Sequence, residues 1–200
     1  MEGTPKLLAL RKMVNIIKPY LILLKETMVT GVRVKEFILK VCMGWMCCAV
    51  ESRGLSGGLL SAWNLVKANF SPFPTCLGIL LKGSFIDMVP SVNVMNCYGP
   101  YSHKMLFWEE VKEGGILNLK NLIIGGDLNL TLSKVEIWGD GEIWGGGAKR
   151  DPLMDYIKLL FDEANLSDIV PNKIVSTWRN GRIGGEGTLK TWIGLLFKRI

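Results

Sequence analysis

The stretch Leu122-Ile123-Ile124-Gly125-Gly126-Asp127-Leu128-Asn129-Leu130 (LIIGGDLNL) decides the fold class of the chain. Its apolar opening is typical of a strand that is buried on both faces of a sheet. The two glycines predict that the strand ends there in a sharp turn, because a residue without a Cβ adopts backbone angles that others avoid. Asp127 and Asn129 then stand at the carboxyl end of the strand, where α/β proteins bind their ligands. An Asp after two glycines is also a common turn residue.

Length and composition restrict the class of protein. The 200 residues are 48% hydrophobic, which is enough for one domain with a sizeable core. The net charge of +6 permits a nucleic-acid partner, although the basic residues are scattered along the chain. Five cysteines without a C-x-x-C pair and a single histidine predict no zinc site, and they are typical of a reducing, intracellular compartment, the nucleus among them. The longest apolar run, 41–50, is about half of a membrane span.

Hydrophobic periodicity alternates between helices and strands along the chain. Helical spacing predicts helices over residues 6–18, 32–41, 103–111 and 152–163, the third of them capped by Ser102. Strands are predicted over 20–24, 45–50, 59–63, 91–98, 122–124, 176–178 and 189–197. Pro72 and Pro74 restrict any strand near them to a sheet edge. This alternation predicts a four-layer α/β sandwich in which helices flank two mixed β-sheets.

Polar residues stand at several predicted strand ends. They are Glu26, Asn96, Tyr98, Asp127, Asn129 and Asn180. If the fold brings them together, they form an oxygen-rich site suited to Mg²⁺, a hard cation that binds carboxylates and water. Simpler interpretations exist for two of them. Glu26 is then a solvated surface charge, and Asn96 satisfies neighbouring backbone groups.

Five segments, in this order, resemble motifs of the endonuclease/exonuclease/phosphatase superfamily. They are 16–27 (IIKPYLILLKET), 54–63 (GLSGGLLSAW), 96–100 (NCYGP), 124–129 (IGGDLN) and 177–181 (TWRNG). Each motif alone is weak, but the ordered series covers nearly the whole chain and is specific. The chain most resembles the apurinic-endonuclease-like domain of plant non-LTR (LINE-type) retrotransposons. The resemblance implies one domain over residues 1–200 that hydrolyses DNA phosphodiesters with Mg²⁺, or alternatively Mn²⁺.

The resemblance also implies roles for individual residues. Glu26 would hold the metal together with Asp127, and Asp127 would position the attacking water. Asn129 would orient that water or the phosphate. Tyr98 would donate a hydrogen bond to the scissile phosphate. Asn96 and Asn180 are further candidates.

The chain departs from the family pattern in three respects. The family's first strand, which ends in Trp-Asn, and its last strand, which carries an Asp-His pair, have no match in residues 1–200, so we expect an incomplete sandwich. Gly194 stands where the family has an Asp. The single histidine, His103, matches no motif and is expected to be an ordinary exposed residue.

Three functions follow from these observations. The first is a magnesium-dependent DNA endonuclease, and the second is a remnant of one that binds metal or DNA weakly and is catalytically impaired. The third is a non-enzymatic α/β fragment or interaction module in which the strand-end polar residues are turns. The departures favour the remnant over the active enzyme, and the ordered motifs count against the third function.

Overall fold

The computed structural model describes residues 4–27, 31–53, 56–130, 137–139, 153–169, 178–179, 188–190 and 193–198. The chain divides into two compact units. The first unit comprises Met1–Tyr98 and Leu119–Gly126, and the second comprises Gly99–Asn118 and Asp127–Ile200. None of the helices in the described ranges is both long and apolar enough to cross a membrane.

The described part of the first unit contains two helices and two groups of paired strands. Its elements are α1 (Thr4–Ile17), β1 (Leu21–Lys25), α2 (Gly31–Val41), β2 (Trp45–Arg53), β3 (Ser56–Asn64), β4 (Ala68–Pro74), β5 (Gly78–Phe85), β6 (Val92–Tyr98) and β7 (Leu122–Asp127). Strands β1, β3 and β2 form an antiparallel sheet, here called sheet 1, with β3 in the centre. Strands β4, β5, β6 and β7 lie side by side in that order and are called sheet 2.

Sheet 2 is mixed. Strand β5 pairs antiparallel with both β4 and β6. Between β6 and β7, the backbone N–H of Asn93 donates to the carbonyl of Asn121 at 3.1 Å, and that of Gly99 donates to the carbonyl of Asp127 at 2.7 Å. From the first bond to the second, residue numbers increase by the same amount on both strands, so β6 and β7 run parallel.

Two apolar clusters hold the layers of the first unit together. Leu10 of α1 and Ile38 of α2 pack against Leu60 of β3, which places the helices on one face of sheet 1. On the opposite face of sheet 1, Trp63 packs among side chains of sheet 2 that include Leu81. Because successive residues of β3 point to opposite faces, this one strand contributes to both clusters.

The predicted helices of the first unit are confirmed, but the buried face of α1 was predicted only in part. Leu10 is buried and Val14 packs against the same cluster, as the helical spacing indicates. Met13 and Ile17, which share the helical spacing of Leu10 and Val14, are nevertheless 40% and 63% exposed. Helix α1 therefore presents a narrower apolar stripe to sheet 1 than its sequence predicts.

The two glycines of the LIIGGDLNL stretch do not end their strand, so this prediction was wrong. Strand β7 continues through both glycines to Asp127. Gly126 has φ of +154°, and a Cβ at this position would overlap the carbonyl oxygen of Cys97 on β6. The glycine is needed for the close approach of two strands rather than for a turn.

A hairpin of β4 and β5 occupies a region where the sequence predicted only an edge strand. The edge position of Pro72 and Pro74 is consistent with that prediction, since β4 stands first in the strand order of sheet 2. A central strand forms backbone hydrogen bonds along both of its edges, and proline has no N–H to donate to them. The partner strand β5 is almost fully buried over Gly78–Leu81, yet glycines and a lysine obscured its alternation.

Within its described residues, the second unit contains two α-helices, a short 3-10 helix and five short strands. They are α3 (Lys104–Glu113), the 3-10 helix Ile116–Asn118, β8 (Ile137–Gly139), α4 (Met154–Glu163), β9 (Leu166–Asp168), β10 (Trp178–Arg179), β11 (Thr188–Lys190) and β12 (Ile193–Lys198). Strand β11 pairs antiparallel with β10 and β8, and β12 pairs antiparallel with β9. The strand predicted over 189–197 is thus two strands with different partners.

Helix α3 begins differently from the prediction. Its N-cap is His103, which has φ of +57° and makes no capping hydrogen bond through its side chain, so the cap assigned to Ser102 was wrong. Leu106 is 55% exposed, whereas Trp108 is buried and packs edge-on against Phe161 of α4, with the ring centroids 5.2 Å apart. Trp108, whose large apolar surface favours burial, and Val111 are the buried residues of this helix.

The predicted fold class is confirmed. The chain has an α/β fold: in the described residues, the first unit has two helices and two β-sheets, and the second unit has two helices and short paired strands. The helix predicted from residue 152 is observed as α4, although Asp151 and Pro152 lie outside the described residues.

Candidate functional site

Glu26 and Tyr98 meet in the first unit. Glu26 follows β1 of sheet 1, and Tyr98 is the last residue of β6 in sheet 2. The hydroxyl of Tyr98 donates a hydrogen bond to Oε1 of Glu26 at 2.7 Å. A bond from a hydroxyl to a carboxylate at this distance is charge-assisted and stronger than a neutral one. The two sheets are therefore joined at these strand ends by a pair of predicted site residues.

The backbone of Glu26 adopts an unusual conformation. Its φ of +49° lies in the left-handed region, which costs a residue with a Cβ roughly 1–2 kcal/mol. The next residue, Thr27, is buried, and its N–H donates to the carbonyl of Gly58 at 3.3 Å. The carboxylate of Glu26 is exposed, so neither burial nor packing explains the strain. Strain of this kind clusters at binding and catalytic sites.

Asn96 lies deeper in the first unit, two residues before Tyr98 on β6. Its side chain is fully buried, and Nδ2 donates to the carbonyl of Leu60 at 3.0 Å and to Oγ of Ser61 at 3.1 Å. Oδ1 of Asn96 has no hydrogen-bond partner among the described residues. Asn96 thus contacts β3 of sheet 1 rather than solvent.

Asp127 and Asn129 form a compact turn in the second unit. Oδ1 of Asp127 accepts the backbone N–H of Asn129 at 3.1 Å, which is the pattern of an Asx turn. Gly99 ties the turn down from both sides: its N–H donates to the carbonyl of Asp127, and its carbonyl accepts Nδ2 of Asn129. Asn129 is 3% exposed with φ of +48°, a conformation that asparagine tolerates well.

The predicted site residues therefore fall into two sets. Glu26, Tyr98 and Asn96 belong to the first unit, and Asp127 with Asn129 belongs to the second. Asn180 lies outside the described residues. The prediction that His103 is exposed is confirmed, and its Nδ1 lies 3.2 Å from Oγ of Ser102.

Two residues that the sequence did not single out help to build these sets. Ser61 accepts a bond from Asn96, and Gly99 holds the Asp127 turn. A Cβ at Gly99 would overlap the carbonyl oxygen of Leu128, so only glycine fits there. The Gly-Pro dipeptide after Tyr98 was a signal for a backbone break, but its partner across the fold is invisible in the sequence.

The residues of both sets suit a hard cation better than a soft one. In the described ranges, no group of three or more His, Cys, Asp or Glu side chains is arranged to hold a metal ion. Mg²⁺ needs few protein ligands, because it keeps most of its water and binds through one or two carboxylates. The carboxylate of Glu26 is exposed and is bonded to Tyr98 through Oε1, so it fits such an ion.

Cys97, between Asn96 and Tyr98, is not a further ligand. Burial raises the pKa of its thiol to about 12, so the thiol stays protonated at neutral pH. Only the thiolate binds metals well.

Comparison with known proteins identifies the fold. No protein-family model and no curated protein sequence matches the chain. Among solved structures, it is similar to the endonuclease domain of TRAS1, a telomere-specific non-LTR retrotransposon, with a TM-score of 0.67 and 16% identity over 100% of this chain and 81% of that one. It is also similar to an AP endonuclease from Archaeoglobus fulgidus, with a TM-score of 0.62 and 16% identity over 96% of this chain and 81% of that one.

A third similar structure is a humanized D. rerio TDP2 with 14 mutations. Its TM-score is 0.64 at 13% identity, and the match covers 98% of this chain and 78% of that one. All three structures share one architecture, and identities this low carry information about the fold alone. The chain has the fold of the endonuclease/exonuclease/phosphatase superfamily.

Proposed function

We propose that the chain is a magnesium-dependent DNA phosphodiesterase domain of the non-LTR retrotransposon endonuclease type, with impaired turnover. The observation that carries the proposal is the Tyr98–Glu26 hydrogen bond, which joins the two sheets at strand ends in a nuclease-type fold. Two of the similar structures, a retrotransposon endonuclease and an AP endonuclease, support the substrate class.

In this proposal, Glu26 and Asp127 hold the same ion, Mg²⁺ or Mn²⁺. These are the two carboxylates that the resemblance to the superfamily assigns to the metal. The ion, when bound, supplies positive charge to the phosphate and lowers the pKa of bound water. The exposed carboxylate of Glu26 and its strained backbone are consistent with a residue that is placed for binding.

Tyr98 and Asn129 act on the phosphate and the water. The hydroxyl of Tyr98 has one proton, which it donates to Glu26, so donation to a phosphate requires that Glu26 release this bond. Oδ1 of Asn129 is buried and has no partner among the described residues. As an acceptor held in place through Nδ2, it suits the O–H of an attacking water.

Turnover is limited because no proton acceptor matches the family's base. A positioned general base contributes roughly 10²–10⁴-fold to such reactions. The single histidine of the 200 residues, His103, is exposed and its ring contacts Ser102. Gly194, within β12, carries no carboxylate where the family has an Asp. The proposed function is therefore phosphate binding with slow hydrolysis.

A non-enzymatic interaction module is the second candidate function. One observation favours it: within the described ranges, acidic, histidine and cysteine side chains do not assemble in groups of three or more suited to a metal. On this alternative, the Tyr98–Glu26 bond only fastens the two sheets together.

Magnesium titration by calorimetry decides between the two functions. We expect weak binding in the parent chain, and we expect Glu26→Gln to weaken it at least tenfold. The matched control is Glu36→Gln, because Glu36 is an exposed glutamate of α2 in the same unit and its substitution removes the same charge. Equal affinity in the parent and Glu26→Gln would contradict the proposal and leave Glu26 a surface charge.

A double substitution tests whether Glu26 and Asp127 share one ion. If both carboxylates hold it, Glu26→Gln with Asp127→Asn weakens Mg²⁺ binding by little more than the stronger single change, because the site is already lost. Two separate sites would instead appear as two independent binding events, each removed by one substitution.

A further inference from the structure

Asn96 makes a buried contact between the two sheets. It lies in the centre of β6, and both of its hydrogen bonds reach neighbouring residues of β3, to the carbonyl of Leu60 and Oγ of Ser61. Asn96, Leu60 and Ser61 are all fully buried. This carboxamide is thus a polar link inside the apolar layer that separates sheet 1 from sheet 2.

The orientation of this carboxamide is determined by its partners. The carbonyl of Leu60 can only accept a hydrogen bond, so the NH₂ group must face it. Oδ1 is thereby left buried without a partner among the described residues. A buried acceptor without a partner destabilises a fold, and an apolar residue of similar size would avoid this penalty. The asparagine therefore needs a reason other than stability.

The contact between Asn96 and β3 is connected through neighbouring strands to the Tyr98–Glu26 pair. Strand β3 pairs with β1 so that Leu60 stands opposite Leu24, and Glu26 follows two residues after Leu24. On β6, Tyr98 follows two residues after Asn96 and therefore points to the same face. The hydroxyl of Tyr98 donates to Glu26 at 2.7 Å, which connects the end of β6 to the end of β1.

We propose that Asn96 is a positioning residue that sets the separation of β3 and β6, and thereby places the Tyr98 hydroxyl against Glu26. The distance matters because a hydrogen bond of 2.7 Å is lost when the strands separate by about 1 Å. Asn96 and Tyr98 are one strand repeat apart, roughly 7 Å, so a displacement of the strand at Asn96 is transmitted to Tyr98 with little loss. The role of Asn96 toward a metal rests on the proposed function, but its effect on Tyr98 does not.

Fluorine NMR of the full chain labelled with 3-fluorotyrosine measures this effect directly. Tyr98→Phe assigns the Tyr98 resonance, and Glu26→Gln shows how far the resonance moves when the carboxylate is replaced. We expect Asn96→Leu, which removes the donors with little change in volume, to move the Tyr98 resonance and to reduce its response to Glu26→Gln by at least half.

Asn93→Leu is the matched control. Asn93 lies on the same strand, and its Nδ2 donates to the carbonyl of Lys120 at 2.7 Å, but this bond does not reach sheet 1. The control loses a comparable bond, and we expect the Tyr98 resonance to stay in place. An unchanged resonance in Asn96→Leu, or an equal change in Asn93→Leu, would overturn the proposal.

Ser61→Ala keeps the proposal testable if Asn96→Leu fails to fold. It removes one of the two acceptors and leaves the bond to Leu60. The Tyr98 resonance should then move in the same direction as in Glu26→Gln, by a smaller amount. No movement would overturn the proposal.

Magnesium affinity separates this inference from the proposed function. If Glu26 holds the ion, Asn96→Leu should weaken binding about tenfold, since residues that orient metal ligands contribute about 10–100-fold, and Asn93→Leu should leave it within about twofold. If parent binding does not respond to Glu26→Gln, the proposed function fails, and the Tyr98 resonance still decides the positioning role.

Discussion

At the scale of single residues, Glu26 has an exposed carboxylate and a backbone conformation that is unfavourable for a residue with a Cβ. Its φ of +49° places the Cβ close to its own carbonyl oxygen. Glycine has no such conflict, and it is ordinarily the less stable choice by roughly 0.5–1 kcal/mol relative to alanine in regular structure. The order of stability of two substitutions at this position therefore tests the conformation.

We predict that Glu26→Gly is more stable than Glu26→Ala by about 0.5–1 kcal/mol. Both substitutions remove the carboxylate and its bond to Tyr98, so they differ only in the Cβ that the left-handed backbone must accommodate. Urea unfolding of the two variants measures the difference. Equal stability, or a more stable alanine variant, would mean that residue 26 is not held in the left-handed region.

At the scale of elements, β9 contains a carboxylate in a position that penalises its charge. Asp168 stands opposite Leu196 of β12, which is fully buried. Desolvation raises the pKa of Asp168 above the ordinary range of an aspartate, although a hydrogen bond from the backbone of Ile169 acts in the opposite direction. The folded second unit therefore holds a proton on Asp168 more tightly than the unfolded chain does.

The sign of the resulting pH dependence follows from linkage. Below pH 3.8, Asp168 is protonated in both states and costs nothing, whereas above its raised folded pKa the ionised group destabilises the fold. We predict that Asp168→Asn, which can still accept the bond from Ile169, raises the urea midpoint at pH 7 and leaves it nearly unchanged at pH 3. A gain of the same size at both pH values would contradict the desolvation argument.

At the scale of the whole molecule, the proposed function combines the superfamily's fold with an incomplete set of groups for hydrolysis. Holding a phosphate equally well in the ground state and the transition state does not lower the barrier. On the proposed function, Tyr98 and Asn129 would hold a phosphate and a water, but no residue in the described ranges is placed to remove the proton from that water.

We predict that the 200-residue chain nicks supercoiled plasmid with Mg²⁺ at a rate near background. Gly194→Asp should not restore nicking, because it supplies a carboxylate without a histidine. An agarose-gel assay of nicked against supercoiled DNA measures both, and Asp127→Ala provides the background. A parent rate that Asp127→Ala abolishes would contradict the prediction and require a base elsewhere in the chain.

The local elements of this protein could be predicted because their signals are local. Apolar spacing identified α1, α2, α3, α4, β6 and β7, and the missing N–H of Pro72 and Pro74 restricted β4 to an edge. The ordered motifs were enough for the superfamily's fold. The hairpin partner β5 was missed, since its burial depends on pairing with β4 and β6 rather than on its own pattern.

Only the tertiary structure decided how the predicted site residues are used. Tyr98 and Glu26 are 72 positions apart, and Asn96 and Leu60 are 36 apart, so no periodicity or spacing connects them. Gly126 was predicted as a turn, yet its role depends on the carbonyl of Cys97 on the neighbouring strand. The sequence by itself placed Glu26, Tyr98 and Asp127 at or next to strand ends, because local backbone preferences set where strands stop, whereas Asn96 lies within β6. Which of them touch is set by sheet packing, where partners distant in sequence meet.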